Sequence, residues 1–144
     1  MRVIFGIGNP GSGFHLNRHN VGFLFLDQFA LTQKLNFQAS KADYYFASGI
    51  LEGNKYILAK PTTFVNRSGV AAEQIIREYE FQLNDFLVVV DDINLSLGEY
   101  RIRLAGGDGG HNGLKSIIYS TGSDLFPRIR IGISNNPADN NKYL

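Results

Sequence analysis

The sequence contains no cysteine. Disulfides and thiolate-bound metal sites are therefore excluded, and the cytoplasm, which keeps thiols reduced, is the simplest expected location. No apolar run approaches the roughly 20 residues that a membrane-spanning helix needs. Glycine interrupts the first apolar stretch, at Gly6, too early for a signal peptide. We therefore expect a protein that makes no contact with a membrane.

The sequence also lacks a strong charge of either sign, since its net charge is +1 over 144 residues. Any surface that binds nucleic acid must then be a local patch. Hydrophobic residues make up 44% of the chain and charged residues 19%, which is typical of an ordinary globular protein. The length suits one domain, residues 1–144, with a single core.

The most unusual segment is the glycine-rich run 106–115, GGDGGHNGLK. Five glycines in eight residues exclude a helix and disfavour a strand, because glycine loses the most backbone freedom on ordering. The run therefore predicts a loop, and a flexible surface turn is an alternative on composition alone. Apolar residues at helical spacing follow His111 and Asn112, so the loop leads into a helix N-terminus, a natural site for an anion.

Two nucleotide-binding motifs are nearly present. Leu114 separates Gly113 from Lys115, whereas a phosphate-binding P-loop needs glycine, lysine and Ser/Thr in succession. Residues 6–11 fit the dinucleotide fingerprint G-x-G-x-x-G, but the glycines continue to position 13 and the nearest suitable carboxylate, Asp27, falls within a helical pattern. These contexts disfavour both a nucleoside triphosphatase and a dinucleotide enzyme.

Hydrophobic periodicity predicts an alternation of strands and helices. Strands are expected at 3–7, 44–50, 55–60, 86–90, 99–104 and 128–133, and helices at about 20–34, 71–79 and from 114 onwards. The second and third strands are expected to form a hairpin turning at 52–54. This order favours an α/β fold, a single-domain three-layer sandwich in which a twisted mixed sheet is flanked by helices.

Polar side chains follow the predicted strands or precede the predicted helices. In α/β sheets ligands gather beyond the strand ends, so these side chains are expected to share one cleft. They are Asn9, His19, Asn66, Asp91, His111 and Asn112.

Histidine suits proton transfer near neutral pH, and a neighbouring carboxylate can orient it, so His19 and Asp91 are a candidate dyad. Ser68 lacks the G-x-S-x-G context of a serine nucleophile, which leaves water as the attacking group. Asparagine amides could donate to a developing oxyanion. The alternative is that these polar residues only cap helices and form turns. The spacing of His15 and His19 resembles half of a zinc-binding helix, but the accompanying glutamate is missing and only His111 remains as a third imidazole, which disfavours a metal site.

Four motifs in this order and spacing resemble the bacterial peptidyl-tRNA hydrolase family. They are residues 6–11 (GIGNPG), 18–22 (RHNVG), 60–69 (KPTTFVNRSG) and 106–115. The strand exit at 91–95 and the late strand at 128–133 are similar as well. The resemblance spans essentially the whole sequence, although family members usually continue for several tens of residues beyond Leu144 with a helical segment that this chain is expected to lack.

The resemblance implies hydrolysis of the ester that joins a peptide to the terminal ribose of tRNA, without a metal or other cofactor. In the family's scheme His19 is the base that activates water and Asp91 orients it. Asn112 is similar to the amide that places the water and stabilises the oxyanion, while Asn9 and Asn66 resemble the residues that hold the peptide backbone.

The resemblance also assigns residues to substrate and tRNA binding. His111, Arg103 and Arg130 are similar to positions near the tRNA acceptor end, and Lys115 is expected to bind tRNA with them. The remaining substrate-binding candidates depart from the family: they are Phe14, where tyrosine is usual, and Val65, where methionine is usual. The expected partner is peptidyl-tRNA, the expected state is a monomer, and the alternative is a catalytically weak RNA-binding relative.

Overall fold

The computed structural model describes residues 1–9 and 20–135. In these ranges seven strands form one sheet. They are β1 (Arg2–Gly6), β2 (Gln38–Ala39), β3 (Tyr44–Leu51), β4 (Asn54–Pro61), β5 (Phe86–Ser96), β6 (Tyr100–Arg103) and β7 (Arg128–Ser134). The helices there are α1 (Val21–Thr32), α2 (Ser68–Tyr79) and α3 (Asn112–Thr121). Over the same ranges, no helix is both long and apolar enough to span a membrane.

The sheet is mixed, with strand order β2-β3-β4-β1-β5-β7-β6. Its four central strands, β4, β1, β5 and β7, are parallel, whereas β2, β3 and β6 pair antiparallel at the edges. The central strands read as continuous apolar runs because both of their faces are covered. Val88, Val89 and Val90 of β5 are all fully buried.

The helices form layers on both faces of the sheet. Successive residues of a strand point to opposite faces. Phe5 of β1 packs in a core with Ile75 of α2 and Leu114 of α3, while Leu58 of β4 packs in a second core with Leu26 of α1. This confirms the predicted three-layer α/β fold.

Three local predictions need correction. β5 does not end at residue 90 but continues to Ser96, pairing with β7 across a register shift between Asp92 and Ser96. The hairpin loop contains only Glu52 and Gly53, both with positive φ, and Asn54 is already in β4. A loop of two such residues matches the right-handed twist of the flanking strands. β2 was not predicted, because two exposed residues at a sheet edge carry no periodic signal.

The helices α2 and α3 touch through Gly69. The Gly69 amide donates a hydrogen bond of 2.8 Å to the Ser116 hydroxyl. A Cβ atom at position 69 would overlap the Ser116 carbonyl oxygen and the Ser120 hydroxyl. The absence of a side chain at this position therefore sets the distance between the two helices.

Gly69→Ala is expected to destabilise the protein by about 1–3 kcal/mol, the usual cost of overpacking a close contact. The free energy of unfolding in urea measures the effect. Gly107→Ala is the matched control, because Gly107 has ordinary φ and no atom within 4 Å of the added methyl group. Equal stability of the two variants would contradict this account of the helix contact.

Candidate active site

One cleft lies beyond the carboxyl end of β1. It is bordered by the central part of β5 and by the start of α3. Its volume is about 550 Å³. The structure places six of the predicted site residues on its walls: Asn9, Val65, Asp91, His111, Asn112 and Arg130. Ile93 and Asn94, which sequence reasoning did not select, also line it. They do so because β5 continues past Asp91.

Asn9 is held by its backbone and by one end of its side chain. Its amide donates to Asn20 Oδ1 at 2.9 Å, and Asn20 Nδ2 donates to its carbonyl oxygen at 3.1 Å. Asn9 Oδ1 accepts from the Val65 amide at 3.1 Å. Because the carbonyl end of the side chain is used in this contact, its NH₂ end is the one suited to donate to a ligand.

The residue that holds Asn9, Asn20, was not selected from the sequence as a site residue. It is buried and directly precedes α1. The only feature of the sequence that pointed to Asn20 was its position in the motif 18–22. Its partner Asn9 lies eleven residues earlier, across the segment 10–19 that falls outside the described residues.

Val65 and Asn66 belong to a short 3-10 turn, Val65–Arg67, that leads into α2. The turn is closed by the buried Ser68 hydroxyl, which donates to the Val65 carbonyl oxygen at 2.7 Å. Asn66 is exposed, and it adjoins the cleft through Val65 without lining it. Ser68 thus stabilises the turn through its hydrogen bond to the backbone.

Asp91 and His111 form a half-buried pair. Asp91 Oδ1 lies 2.9 Å from His111 Nε2, and the two side chains are 13% and 11% exposed. The other ring nitrogen, Nδ1, accepts hydrogen bonds from the amides of Gly113 and Leu114 at 3.0 and 3.3 Å. The helix N-terminus that was expected to bind an anion is therefore capped by His111.

The glycine-rich loop is fixed by two arginines of β7. Arg128 is 1% exposed, and its Nη1 donates to the Gly107 carbonyl oxygen at 2.8 Å. Arg130 Nη2 donates to the Asp108 carbonyl oxygen at 3.2 Å. Gly109 and its neighbour Gly110 have φ of 58° and 85°, a conformation that glycine adopts without strain. These contacts argue against the alternative of a flexible surface turn.

The guanidinium of Arg128 is surrounded by backbone carbonyls. It donates to the carbonyl oxygens of Asp124 at 3.1 Å and Phe126 at 3.2–3.3 Å, and it lies 4.5 Å from the centre of the Phe126 ring. Burial lowers the pKa of Arg128 from its ordinary value, and the positive charge of Arg130 lowers it further. Even a lowered arginine pKa leaves the group charged near neutral pH.

Arginines cluster on one face of the β6–β7 pair. Arg101 lies opposite Arg130 and Arg103 opposite Arg128, so the four side chains share a face. Arg103 is exposed at the sheet edge, and Arg130 is half-buried in the cleft, 4.0 Å from Asp92 Oδ2. Lys115 is exposed on α3. The basic surface is local, as the small net charge required.

Two predicted site residues, Phe14 and His19, lie outside the described residues, and so does His15. The expected contact between His19 and Asp91 stays a prediction. Among residues 1–9 and 20–135, no three His, Asp or Glu side chains come together as ligands of a metal would.

Comparison with known proteins identifies the family. The family model described as peptidyl-tRNA hydrolase matches residues 3–144. The chain belongs to the peptidyl-tRNA hydrolase family. A peptidyl-tRNA hydrolase of Kosmotoga olearia is 47% identical over 141 residues, which cover 96% of this chain and 73% of the relative. One from Leuconostoc mesenteroides is 44% identical over 133 residues, covering 92% of this chain and 71% of the relative.

Solved structures agree with this membership. The crystal structure of peptidyl-tRNA hydrolase from Acinetobacter baumannii superimposes with a TM-score of 0.89 at 34% sequence identity. The match covers 94% of this chain and 69% of that one. The resemblance noted from the four motifs is thus confirmed.

Proposed function

We propose that the protein hydrolyses the ester between a peptide and the 3′-terminal ribose of tRNA, with water as the nucleophile and without a metal ion. The observation that carries the proposal is the cleft, where Asn9, Asp91, His111 and Asn112 meet at the end of the parallel strands. Membership of the peptidyl-tRNA hydrolase family supports the choice of substrate. The protein is expected to act as a cytoplasmic monomer.

In the proposed reaction His19 removes a proton from water as the oxygen attacks the ester carbonyl carbon. Asp91 orients the imidazole and stabilises its protonated form. The carbonyl oxygen becomes an oxyanion, to which the Asn112 amide donates. When the intermediate collapses, the bond to the ribose oxygen breaks and His19 returns the proton to it, releasing tRNA and a peptide carboxylic acid that loses its proton to solvent.

An ester suits this small set of groups. Its alkoxide leaves more readily than an amine would, so one base and one oxyanion donor are enough. A good oxyanion donor alone contributes about 3–4 kcal/mol to transition-state stabilisation. Peptidyl-tRNA is thus a substrate that these side chains can hydrolyse.

Recognition of the peptide is assigned to the asparagines. The NH₂ end of Asn9 is the end suited to donate to the peptide, because its Oδ1 accepts from the Val65 amide, and Asn66 is expected to act with it. A substrate with a free α-amine would leave the part-buried Asn9 side chain poorly paired, and an unpaired polar group in a cleft disfavours the wrong substrate. We expect the enzyme to spare aminoacyl-tRNA for this reason. Phe14 and Val65 would contact the substrate through apolar surface.

Arg103 of β6 and Arg130 of β7 are proposed to contact the tRNA acceptor end. Arg103 is exposed at the sheet edge, Arg130 is in the cleft, and Lys115 adds a further exposed charge. Phosphate contacts of this kind position the nucleic acid and weaken as salt concentration rises. The KM for tRNA should therefore increase with ionic strength.

The decisive assay is release of the N-acetylamino acid from N-acetylaminoacyl-tRNA in the presence of EDTA. We expect turnover that EDTA leaves unchanged, because no step of the proposed reaction uses a metal. The matched control is the same tRNA carrying a free aminoacyl group, which should be cleaved far more slowly. A folded protein that binds this tRNA without releasing the blocked amino acid would overturn the enzymatic assignment, and restoration of an EDTA-abolished activity by zinc would overturn metal independence.

A further inference from the structure

Both ring nitrogens of His111 are engaged by the protein itself. Nδ1 accepts from two amides in the first turn of α3, those of Gly113 and Leu114. Nε2 lies at hydrogen-bonding distance, 2.9 Å, from Asp91 Oδ1. The ring therefore bridges the beginning of α3 and β5.

The two contacts define one tautomer. A ring nitrogen that accepts from an N–H group must carry a lone pair, so Nδ1 is unprotonated. The proton of the neutral ring then sits on Nε2, which donates it to the Asp91 carboxylate. A protonated ring would present N–H at both positions and would lose the cap on α3. Nε2 of His111 is therefore the donor to Asp91, and Nδ1 is the acceptor that caps α3.

We infer that His111 is a positioning residue that aligns Asp91 with Asn112 and makes no polar contact with the substrate. The inference rests on the proposed function, in which these two side chains act on the base and the oxyanion. It differs from the role implied by the resemblance, which puts His111 at the tRNA acceptor end. A ring whose two nitrogens are both bound would have to give up a protein contact in order to bind tRNA.

His111 orients Asp91 through the carboxylate atom Oδ1, and it orients Asn112 through the first turn of α3. A carboxylate held at Oδ1 has its plane fixed, so the direction of Oδ2 is set as well. Asn112 is the first residue of α3, directly after His111, and its backbone is fixed by the same cap. Removing the ring would therefore release the side chains of both Asp91 and Asn112, although these two residues are 21 positions apart in sequence.

Two substitutions separate the two ends of the ring. His111→Asn places an amide oxygen near the position of Nδ1 and keeps a strong helix cap, but its side chain is too short to reach Asp91 as Nε2 does. His111→Gln carries a donor near the position of Nε2 and loses the favourable capping geometry. The pair therefore dissects the contact with Asp91 from the contact with α3.

For His111→Asn we expect kcat on N-acetylaminoacyl-tRNA to fall about 10- to 100-fold, the scale of a misplaced catalytic group, with KM nearly unchanged. Its Tm should stay within about 3 °C of the parent because the cap remains. His111→Gln should lower Tm by about 3–5 °C and retain more of kcat than His111→Asn does. A His111→Asn variant with parental kcat and raised KM would overturn the inference in favour of substrate contact.

The tautomer gives a readout that does not depend on activity. In ¹⁵N-histidine-labelled protein at mildly alkaline pH, the His111 signals are those missing from the His111→Asn spectrum. We expect proton-bearing Nε2 and bare Nδ1, and the reverse pattern would overturn the inference. If the parent protein shows this tautomer and these Tm shifts but no hydrolysis, the proposed function fails while the bridge between Asp91 and α3 stands.

Discussion

Replacing His19 by alanine is expected to lower kcat for hydrolysis of N-acetylaminoacyl-tRNA by about 10²- to 10⁴-fold, the usual contribution of a general base. KM should change little, because the base is not assigned to substrate binding. Single-turnover kinetics with saturating enzyme would isolate the chemical step. Asp91, whose carboxylate lines the cleft, is the group proposed to orient this base.

The structure strengthens the choice of His19 by removing a competitor. The sequence contains three histidines, His15, His19 and His111. His111 cannot accept a proton at Nδ1 without giving up the hydrogen bonds from Gly113 and Leu114, and its Nε2 already bears a proton toward Asp91. The imidazole base of the proposed reaction is therefore assigned to one of the other two histidines.

His15→Ala is the matched control for this prediction. It makes the same substitution four residues earlier in the same segment, at a position with no assigned role. We expect parental kcat for His15→Ala and a large loss for His19→Ala. If the loss falls on His15→Ala instead, the base has been assigned to the wrong histidine, and if neither variant loses activity the proposed base mechanism is wrong.

The sheet was predictable because its signal is local. The run at 86–90 is β-branched and apolar, as a strand buried on both faces must be. Its continuation to Ser96 was not predictable, since Asp92 and Asn94 interrupt the apolar pattern and the strand is held there by pairing with β7. The length of β5 is therefore decided by a neighbour more than thirty residues later in the chain, for which no local pattern exists.

The candidate site was partly predictable for the same reason. Strand ends and helix starts mark where polar residues gather, which located Asn9, Asp91 and Asn112. The task of His111 was not predictable, because its ring was expected to face a ligand, while its actual partner Asp91 is twenty residues away. Which polar group the His111 ring contacts depends on distances between side chains in the folded protein, and the sequence does not show these distances.

The burial of Arg128, at the other side of the glycine-rich loop, was likewise not predictable from the sequence. In sequence Arg128 is one of two alternating arginines in a predicted strand. In the structure its neighbour Arg130 lines the cleft, whereas Arg128 is buried beneath the glycine-rich loop. Its burial depends on Phe126 and on carbonyl oxygens contributed by the loop, and neither is visible as a sequence pattern.

Arg128→Met is expected to reduce the free energy of unfolding by about 2–4 kcal/mol, because it removes the donors to the buried Phe126 carbonyl oxygen and to two part-buried ones. The part-buried oxygens are those of Gly107 and Asp124, and the Asp124 oxygen keeps the Gly106 amide as a donor. Methionine fills similar volume and removes the cost of burying a charge, which keeps the expected loss below that of an unpaired buried ion. Urea unfolding followed by circular dichroism measures the difference.

Arg101→Met is the matched control, since Arg101 is exposed on the neighbouring strand β6 and shares a sheet face with Arg128. Its effect should stay within about 0.5 kcal/mol. Arg128→Lys should restore little stability, because one ammonium cannot reproduce the planar fork of donors. Equal losses in the Arg101→Met and Arg128→Met variants would contradict the assignment.

The loop offers a second and more local measurement. The Gly106 amide donates to the Asp124 carbonyl oxygen, the same group that accepts from Arg128. Loss of the guanidinium should therefore increase hydrogen exchange at Gly106 in the folded protein, ahead of global unfolding. The loop ends at His111. Faster exchange at Gly106 together with a lower kcat would therefore link this buried arginine to the alignment of Asp91 and Asn112. Faster exchange with unchanged kcat would confine Arg128 to stability.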